Sequence, residues 1–168
     1  MKGPLRTAGL AALAAGVLAC APIEPGAGGD AGATPRADDP TPHRPVTVAF
    51  IGDQGLSDES RAVLRLIRAE GADLALILGD FDYHDDPAAW DAMLADELGA
   101  DFPVLVTVGN HDRERWYGAG GYQERQAARL RRMPAVECRG EVGVREACTF
   151  RGLFFILSGI GTMPKAPD

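Results

Sequence analysis

Three short apolar runs recur in the middle of the chain, and each ends at a glycine followed by a polar residue. The runs are Val46–Ile51, Leu74–Leu78 and Pro103–Val108. Each is continuously apolar and does not alternate with polar positions, which is typical of strands covered on both faces of a parallel sheet. The pattern therefore predicts an α/β fold that opens with a β-α-β-α-β unit.

Two amphipathic segments with start and stop signals separate these runs. The first helix is predicted to follow Ser57 and stop at Gly71, and the second to follow Asp86, open with Pro87 and stop at Gly99. The apolar positions predicted to be buried are Val63, Leu64 and Ile67 in the first helix and Trp90, Met93, Leu94 and Leu98 in the second.

The pattern changes after residue 110, where a helix over Tyr122–Arg132 and antiparallel strands at Cys148–Phe150 and Leu153–Leu157 are predicted. Four arginines fall between residues 125 and 132, and we interpret them as a solvated helix face. The alternative is a nucleic-acid surface. It is disfavoured because the chain has 17 basic and 24 acidic residues, a formal net charge of −7.

The first 45 residues differ in composition from the rest of the chain. Residues 1–20 combine a short basic start with a small-residue apolar run, which indicates a lipoprotein signal peptide. Val17–Cys20 is similar to a bacterial lipobox, so we expect lipid on Cys20 and a location in the cell envelope, at the outer membrane or in the periplasm; cleavage after Ala19 is the alternative. Residues 21–45 hold six of the 12 prolines and are predicted to be a disordered tether before a domain over 46–168.

The cysteine count is odd. If Cys20 carries lipid, Cys138 and Cys148 remain as a pair, with turn-forming residues between them. Export permits a disulfide, which we predict. Two unlinked thiols and a zinc site are the alternatives.

The candidate chemistry lies at the ends of the three predicted strands. Asp53, Asp80 and Asn110 each follow a glycine, 27 and 30 residues apart. The carboxyl ends of parallel strands share one edge of the sheet, where such folds bind ligands. Oxygen donors gathered there would repel one another or stay poorly satisfied without a cation, and they suit Mn, Fe, Mg or Zn. A single Gly-Asp pair would be only a turn, but three in register predict a metal or phosphate site.

Three further residues extend this candidate site. Tyr83 lies three positions after Asp80 and could reach the same cation as a phenolate, which favours ferric iron. His111 follows Asn110 directly, and we interpret it as an acid/base or phosphate-contacting group. Asp112 is predicted to orient its imidazole.

These residues resemble the calcineurin-like metallophosphoesterases, and among them the purple acid phosphatases. The matching motifs are Gly52–Gly55, Gly79–Tyr83 and Gly109–Asp112. Most of that superfamily has a histidine at the position of Gly55. Glycine there together with a tyrosine at 83 is the purple acid phosphatase combination.

The resemblance implies a phosphoesterase sandwich with two metal ions, Fe(III) beside Fe, Zn or Mn, acting on a phosphorylated small molecule. Asp53 and Tyr83 would bind the first metal, Asp80 would bridge, and Asn110 would bind the second. His111 would contact the phosphate or protonate the leaving oxygen.

The family's site also uses three later histidines, whereas this chain has only His43, His84 and His111. We therefore expect residues 46–168 to be the N-terminal part of a catalytic domain with an incomplete second half and weak activity alone. The alternative is a noncatalytic lipoprotein that binds metal or phosphate. His84 is a further candidate ligand.

Overall fold

The structure is a computed structural model that describes residues 44–163. The predicted signal peptide, Cys20 and all but the last two residues of the predicted tether lie outside the described residues. Between residues 44 and 163, no helix has both the length and the apolar character needed to cross a membrane.

The first half of the domain is a three-stranded parallel sheet with two crossover helices. Strands β1 (Val48–Ile51), β2 (Leu74–Ile77) and β3 (Val104–Val106) pair in the order β1-β2-β3. Helix α1 (Asp58–Ala69) joins β1 to β2, and α2 (Pro87–Glu97) joins β2 to β3. The predicted β-α-β-α-β unit is confirmed, and all three carboxyl ends point to one edge.

Burial differs between the strands of this sheet. Every residue of β2 and β3 is buried, as the continuous apolar runs predicted. The prediction of cover on both faces is wrong for β1, where Phe50 is 62% exposed. β1 and β3 are both edge strands of this sheet, but α3 packs against β3, where the Gln126 side chain donates to the Val104 carbonyl at 2.8 Å, whereas Phe50 of β1 stays largely uncovered.

Both helices begin at the predicted caps. The Ser57 hydroxyl accepts a hydrogen bond from the Ser60 N–H at 3.3 Å, and α2 opens with the predicted aspartate cap and proline. Leu64 and Ile67 are buried, but Val63 is 44% exposed. Burial of Val63 was therefore predicted wrongly, because the helical repeat places Ser60 with Leu64 and Ile67 and turns position 63 aside. All four apolar positions predicted in α2 are buried.

The second half of the domain is an antiparallel sheet. After a short 3₁₀ turn at Arg113–Arg115, α3 (Tyr122–Leu130) precedes β4 (Val136–Glu141), β5 (Arg145–Phe150) and β6 (Leu153–Ser158). These strands pair in the order β4-β5-β6. The antiparallel prediction is confirmed, although the strands are longer than the sequence pattern indicated.

An apolar cluster joins residues of the two sheets. Its buried members are Leu74, Leu76, Leu105, Met133, Val136, Cys148, Phe150 and Leu157. Cys138 faces Cys148 across β4 and β5, and the two form a disulfide. The predicted pairing is therefore confirmed. Both sulfurs are joined to each other, so the alternative zinc site has no thiolates available.

One of the four arginines predicted to be solvated is buried. Arg129 is fully buried, and its guanidinium donates to the Gly99 carbonyl at 3.2 Å and to Asp91 Oδ1 at 3.0 Å. The interpretation of a wholly solvated arginine face is thus wrong at this position. A buried guanidinium group is unfavourable unless several acceptors surround it. Because these acceptors lie on α2 and in the loop before β3, Arg129 connects α3 to both.

Candidate metal centre

The ends of β2 and β3 approach each other through two glycines. A Cβ atom on Gly79 would lie 2.6 Å from Gly109 Cα, and one on Gly109 would lie 2.1 Å from Asp80 Oδ1. Gly79 also has a positive φ of 89°, which side chains rarely adopt. The two strand tips can therefore meet only where both positions lack a side chain.

Backbone hydrogen bonds hold the three loops together at this edge. The Asp53 N–H donates to the Gly79 carbonyl at 3.3 Å, and the Gln54 N–H donates to the Asp80 carbonyl at 2.9 Å. On the other side, the His111 N–H donates to Asp80 Oδ1 at 3.1 Å. The loop that carries Asp80 is thus bonded to both of its neighbours.

Asp112 lies beneath these loops and is fully buried. Its carboxylate accepts backbone N–H groups of Asp80 at 3.0 Å, Phe81 at 2.8 Å and Gly109 at 2.6 Å. Burial raises the pKa of Asp112 to about 6, although the three N–H donors oppose the rise. Asp112 was predicted to orient the His111 imidazole. Instead its carboxylate binds the backbone, because it points inward under the loops.

Asp53 and Tyr83 bring two oxygen donors together. The Tyr83 phenol donates to Asp53 Oδ1 at 3.2 Å, although the sequence separates them by 30 residues. Partial burial and the charge of Asp53 raise the pKa of Tyr83, so the phenol keeps its proton. Asp53 and Asp80 have positive φ angles of 49° and 53°. Such strain is held only where the surroundings determine the backbone, and it often occurs at functional sites.

Gly55 lies beside the Tyr83 ring. A Cβ atom at Gly55 would be 3.9 Å from two ring carbons of Tyr83, and the φ of Gly55 is 66°. That distance is ordinary van der Waals contact, so the ring itself does not exclude a Cβ atom. What favours glycine at position 55 is the positive φ, which side chains rarely adopt.

The remaining predicted site residues lie at the same edge but are less enclosed. Asn110 and His111 are exposed, and the His111 ring packs edge-on against Tyr83 with centroids 4.8 Å apart. His84 is also exposed, and so are the arginines of the 3₁₀ turn. The structure thus brings Asp53, Tyr83 and His111 into one group with the loop that carries Asp80.

Sequence reasoning missed two residues that hold the same loop. Asp82 is 1% exposed and accepts the Tyr122 hydroxyl as well as backbone N–H groups. Nothing in the pattern around Asp82 indicated burial, since acidic residues that follow strands are mostly solvated. Tyr122 opens α3, and it was predicted only as a helix residue.

The two carboxylates that were expected to be poorly satisfied without a cation each accept one hydrogen bond from the protein. Asp53 accepts from the Tyr83 phenol, and Asp80 accepts from the His111 N–H. The donors are therefore held in place by the protein itself. What favours a cation is the identity of the groups, which are hard oxygen ligands at one exposed edge.

The fold and this site define a mixed α/β protein with a candidate metal centre at the tips of its parallel strands. The family model for calcineurin-like phosphoesterase matches residues 46–160, and the chain belongs to that family. It is also similar to Purple acid phosphatase 22 of Arabidopsis thaliana, with 36% identity over 73 residues. The match covers 42% of this chain and 17% of that relative, so the chain spans a small part of its length.

Proposed function

We propose that the chain forms part of a metal-dependent phosphoesterase that hydrolyses phosphate esters of small molecules. The contact between the Tyr83 phenol and Asp53 Oδ1, at 3.2 Å, carries this proposal. The contact joins a carboxylate that follows β1 to a phenol in the loop after β2, which is the loop that carries Asp80. Family membership supports the reaction class, because calcineurin-like phosphoesterases use a binuclear metal centre.

Asp53, Tyr83, Asp80 and Asn110 would hold the metals, which we propose are Fe(III) with Fe, Zn or Mn. Such a metal pair, when bound, neutralises developing charge and lowers the pKa of water. The residues fit hard cations because every donor is an oxygen. Since Tyr83 is protonated and its pKa is raised, coordination through the phenolate must release a proton. Metal affinity should accordingly increase with pH.

His111 is placed to contact the phosphate or to protonate the leaving oxygen. Its ring is exposed and lies against Tyr83, so a substrate at the metal ligands would lie near it. Its backbone is fixed by the bond from its N–H to Asp80. The position of His111 is therefore set by the ligand loop itself and not by the buried Asp112.

A cavity of ≈ 370 Å³ opens beside Asp53. Its walls include Ile51, Val63 and Glu59. The bond with Ser57 lowers the pKa of Glu59, which is therefore ionised at neutral pH. We propose that this cavity receives the alcohol part of the ester and that Glu59 disfavours polyanionic substrates. p-Nitrophenyl phosphate should then be a better substrate than ATP.

Hydrolysis of p-nitrophenyl phosphate by the product of the complete open reading frame, loaded with Fe(III) and Zn²⁺, tests the proposal. Asp80→Ala should abolish the activity, and Asp101→Ala is a matched control because Asp101 is exposed in the loop before β3. Calorimetry with each metal measures binding separately. Binding without turnover would favour the noncatalytic metal- or phosphate-binding alternative, and absence of both would overturn the proposal.

We also propose that the protein is exported and anchored by lipid on Cys20. The Cys138–Cys148 disulfide supports export, since disulfides persist mainly in oxidising compartments. Labelling of cells with a palmitate analogue should mark the wild type but not Cys20→Ser. A wild-type protein that stays unlabelled and leaves the membrane fraction would contradict the lipid anchor.

A further inference from the structure

We propose that Asp82 and Tyr122 form a buried pair that positions Tyr83 in the candidate metal centre. The inference rests on the proposed function only in treating Tyr83 as a ligand. Both residues are positioning residues, because neither is exposed where a metal or substrate could touch it. Their effect would be exerted through the loop between Asp80 and Pro87.

The Asp82 carboxylate closes this loop around Tyr83. Its Oδ1 accepts the His84 N–H at 2.7 Å, and its Oδ2 accepts the Asp86 N–H at 3.2 Å. Tyr83 lies between the two residues joined by the shorter bond. The backbone on both sides of Tyr83 is therefore fixed by one side chain, which limits the directions in which the phenol can point.

Tyr122 fixes the carboxylate in turn. Its hydroxyl donates to Asp82 Oδ2, and it is the first residue of α3. The Tyr122 ring packs edge-on against Phe81, with centroids 5.4 Å apart, and against Trp90 at 5.7 Å. These rings are fully buried. The ligand loop is thus connected to the rigid aromatic core of the domain, and not only to its neighbouring loops.

Burial of the Asp82 carboxylate has an energetic cost, and this cost supports a positioning role for the pair. A buried carboxylate is unfavourable unless donors surround it, and Asp82 uses a hydroxyl and two backbone N–H groups for this purpose. An apolar residue would fill the same space without that requirement. What the carboxylate adds is a defined orientation of residues 83–86, and Tyr83 is the one among them whose hydroxyl reaches Asp53.

The chain contains three tyrosines, so ¹⁹F NMR of protein labelled with 3-fluorotyrosine can observe Tyr83 directly. Tyr83→Phe assigns its resonance. We expect Asp82→Ala and Tyr122→Phe to shift and narrow the Tyr83 signal in metal-free protein, because the ring becomes less restrained. Asp82→Asn, which keeps an acceptor for the His84 N–H, should cause a smaller shift.

Asp91→Asn is the control, since it weakens the buried Arg129 contact elsewhere in the domain. It should lower stability but leave the Tyr83 signal unchanged. If Asp82→Ala does not fold, Tyr122→Phe decides, because it keeps the packed ring. An unchanged Tyr83 resonance in folded Tyr122→Phe, or an equal change in Asp91→Asn, would overturn the inference.

Titration with Ga(III), a diamagnetic substitute for Fe(III), separates this inference from the proposed function. The wild-type Tyr83 signal should respond to Ga(III), and Asp82→Ala should weaken that affinity by roughly 10–100-fold. A wild type that does not respond would count against the metal site. The metal-free comparison would still decide whether Asp82 and Tyr122 position Tyr83.

Discussion

Replacing Asp112 tests whether the strand tips are held together by its carboxylate. In Asp112→Ala, one buried and two partly buried N–H donors lose their acceptor. Each unsatisfied donor costs about 1–3 kcal/mol, so the three together cost about 6 kcal/mol. The change also removes an ionised group whose pKa is raised by burial to about 6, a rise that disfavours the ionised form by about 3 kcal/mol. The expected net loss is about 3 kcal/mol.

Asp112→Asn removes the negative charge of residue 112 but keeps one of its two acceptor oxygens. The amide oxygen can still accept the Asp80 and Gly109 N–H groups, but the NH₂ group meets the Phe81 N–H, which costs about 2 kcal/mol. Removal of the buried charge offsets this loss. We therefore expect Asp112→Asn to lie within about 1 kcal/mol of the wild type at pH 8.

Urea unfolding of the metal-free protein at pH 8 measures both variants. With a slope of about 2 kcal/mol/M, the loss in Asp112→Ala corresponds to a midpoint lower by roughly 1.5 M. If Asp112→Ala proves as stable as Asp112→Asn, the three donors must find other partners, and the carboxylate does not hold the loops.

The pH dependence of the free energy of unfolding shows whether the charge of Asp112 stabilises or destabilises the folded protein. The pKa of Asp112 in the folded protein, about 6, is higher than the value of about 3.9 for an unfolded chain. The folded state therefore binds the proton more tightly, and wild-type stability should fall as the pH rises from about 4 to about 6. Asp112→Asn should remove this component, seen as the difference between the two unfolding curves across that range.

Three further predictions concern the fold around the site. Gly79→Ala should weaken cation binding measured by calorimetry and destabilise the domain far more than Gly99→Ala, because both glycines have positive φ but only Gly79 faces backbone within 3 Å. Replacing Cys138 and Cys148 by serine should lower the free energy of unfolding by about 3 kcal/mol, and thiol titration of the unfolded wild type should find this pair oxidised. Arg129→Met should lower stability by about 3 kcal/mol in urea unfolding, since buried acceptors lose their donor.

Most of the first sheet could be predicted because local signals agree there. The apolar runs, the Ser57 and Asp86 caps and the glycine stops act over a few residues, and each lies within two residues of an observed boundary. Phe50 and Arg129 could not be predicted. Exposure of Phe50 depends on which of the two edge strands is covered by later elements, and burial of Arg129 depends on carbonyls about 30 residues away.

Part of the candidate site could likewise be predicted from the sequence, and part could not. Its polar positions were visible because a parallel sheet places successive strand ends on one edge, so Asp53 and Asp80 could be associated without a structure. The residues that hold these polar positions in place could not be predicted. The role of Asp112 depends on backbone N–H groups, and the Asp82–Tyr122 contact joins residues 40 positions apart with no shared pattern.

The hydrogen bonds of the site also determine what a cation must do. Because Asp53 and Asp80 already accept hydrogen bonds, repulsion between carboxylates does not by itself require a metal. A cation would instead replace the phenol proton that now lies between Tyr83 and Asp53. Since burial and the negative charge of Asp53 both raise the pKa of Tyr83, a cation bound through the phenolate has to compete with that proton. The contact that satisfies the metal-free site should therefore make cation binding at Tyr83 weaker at low pH, whichever metal is bound.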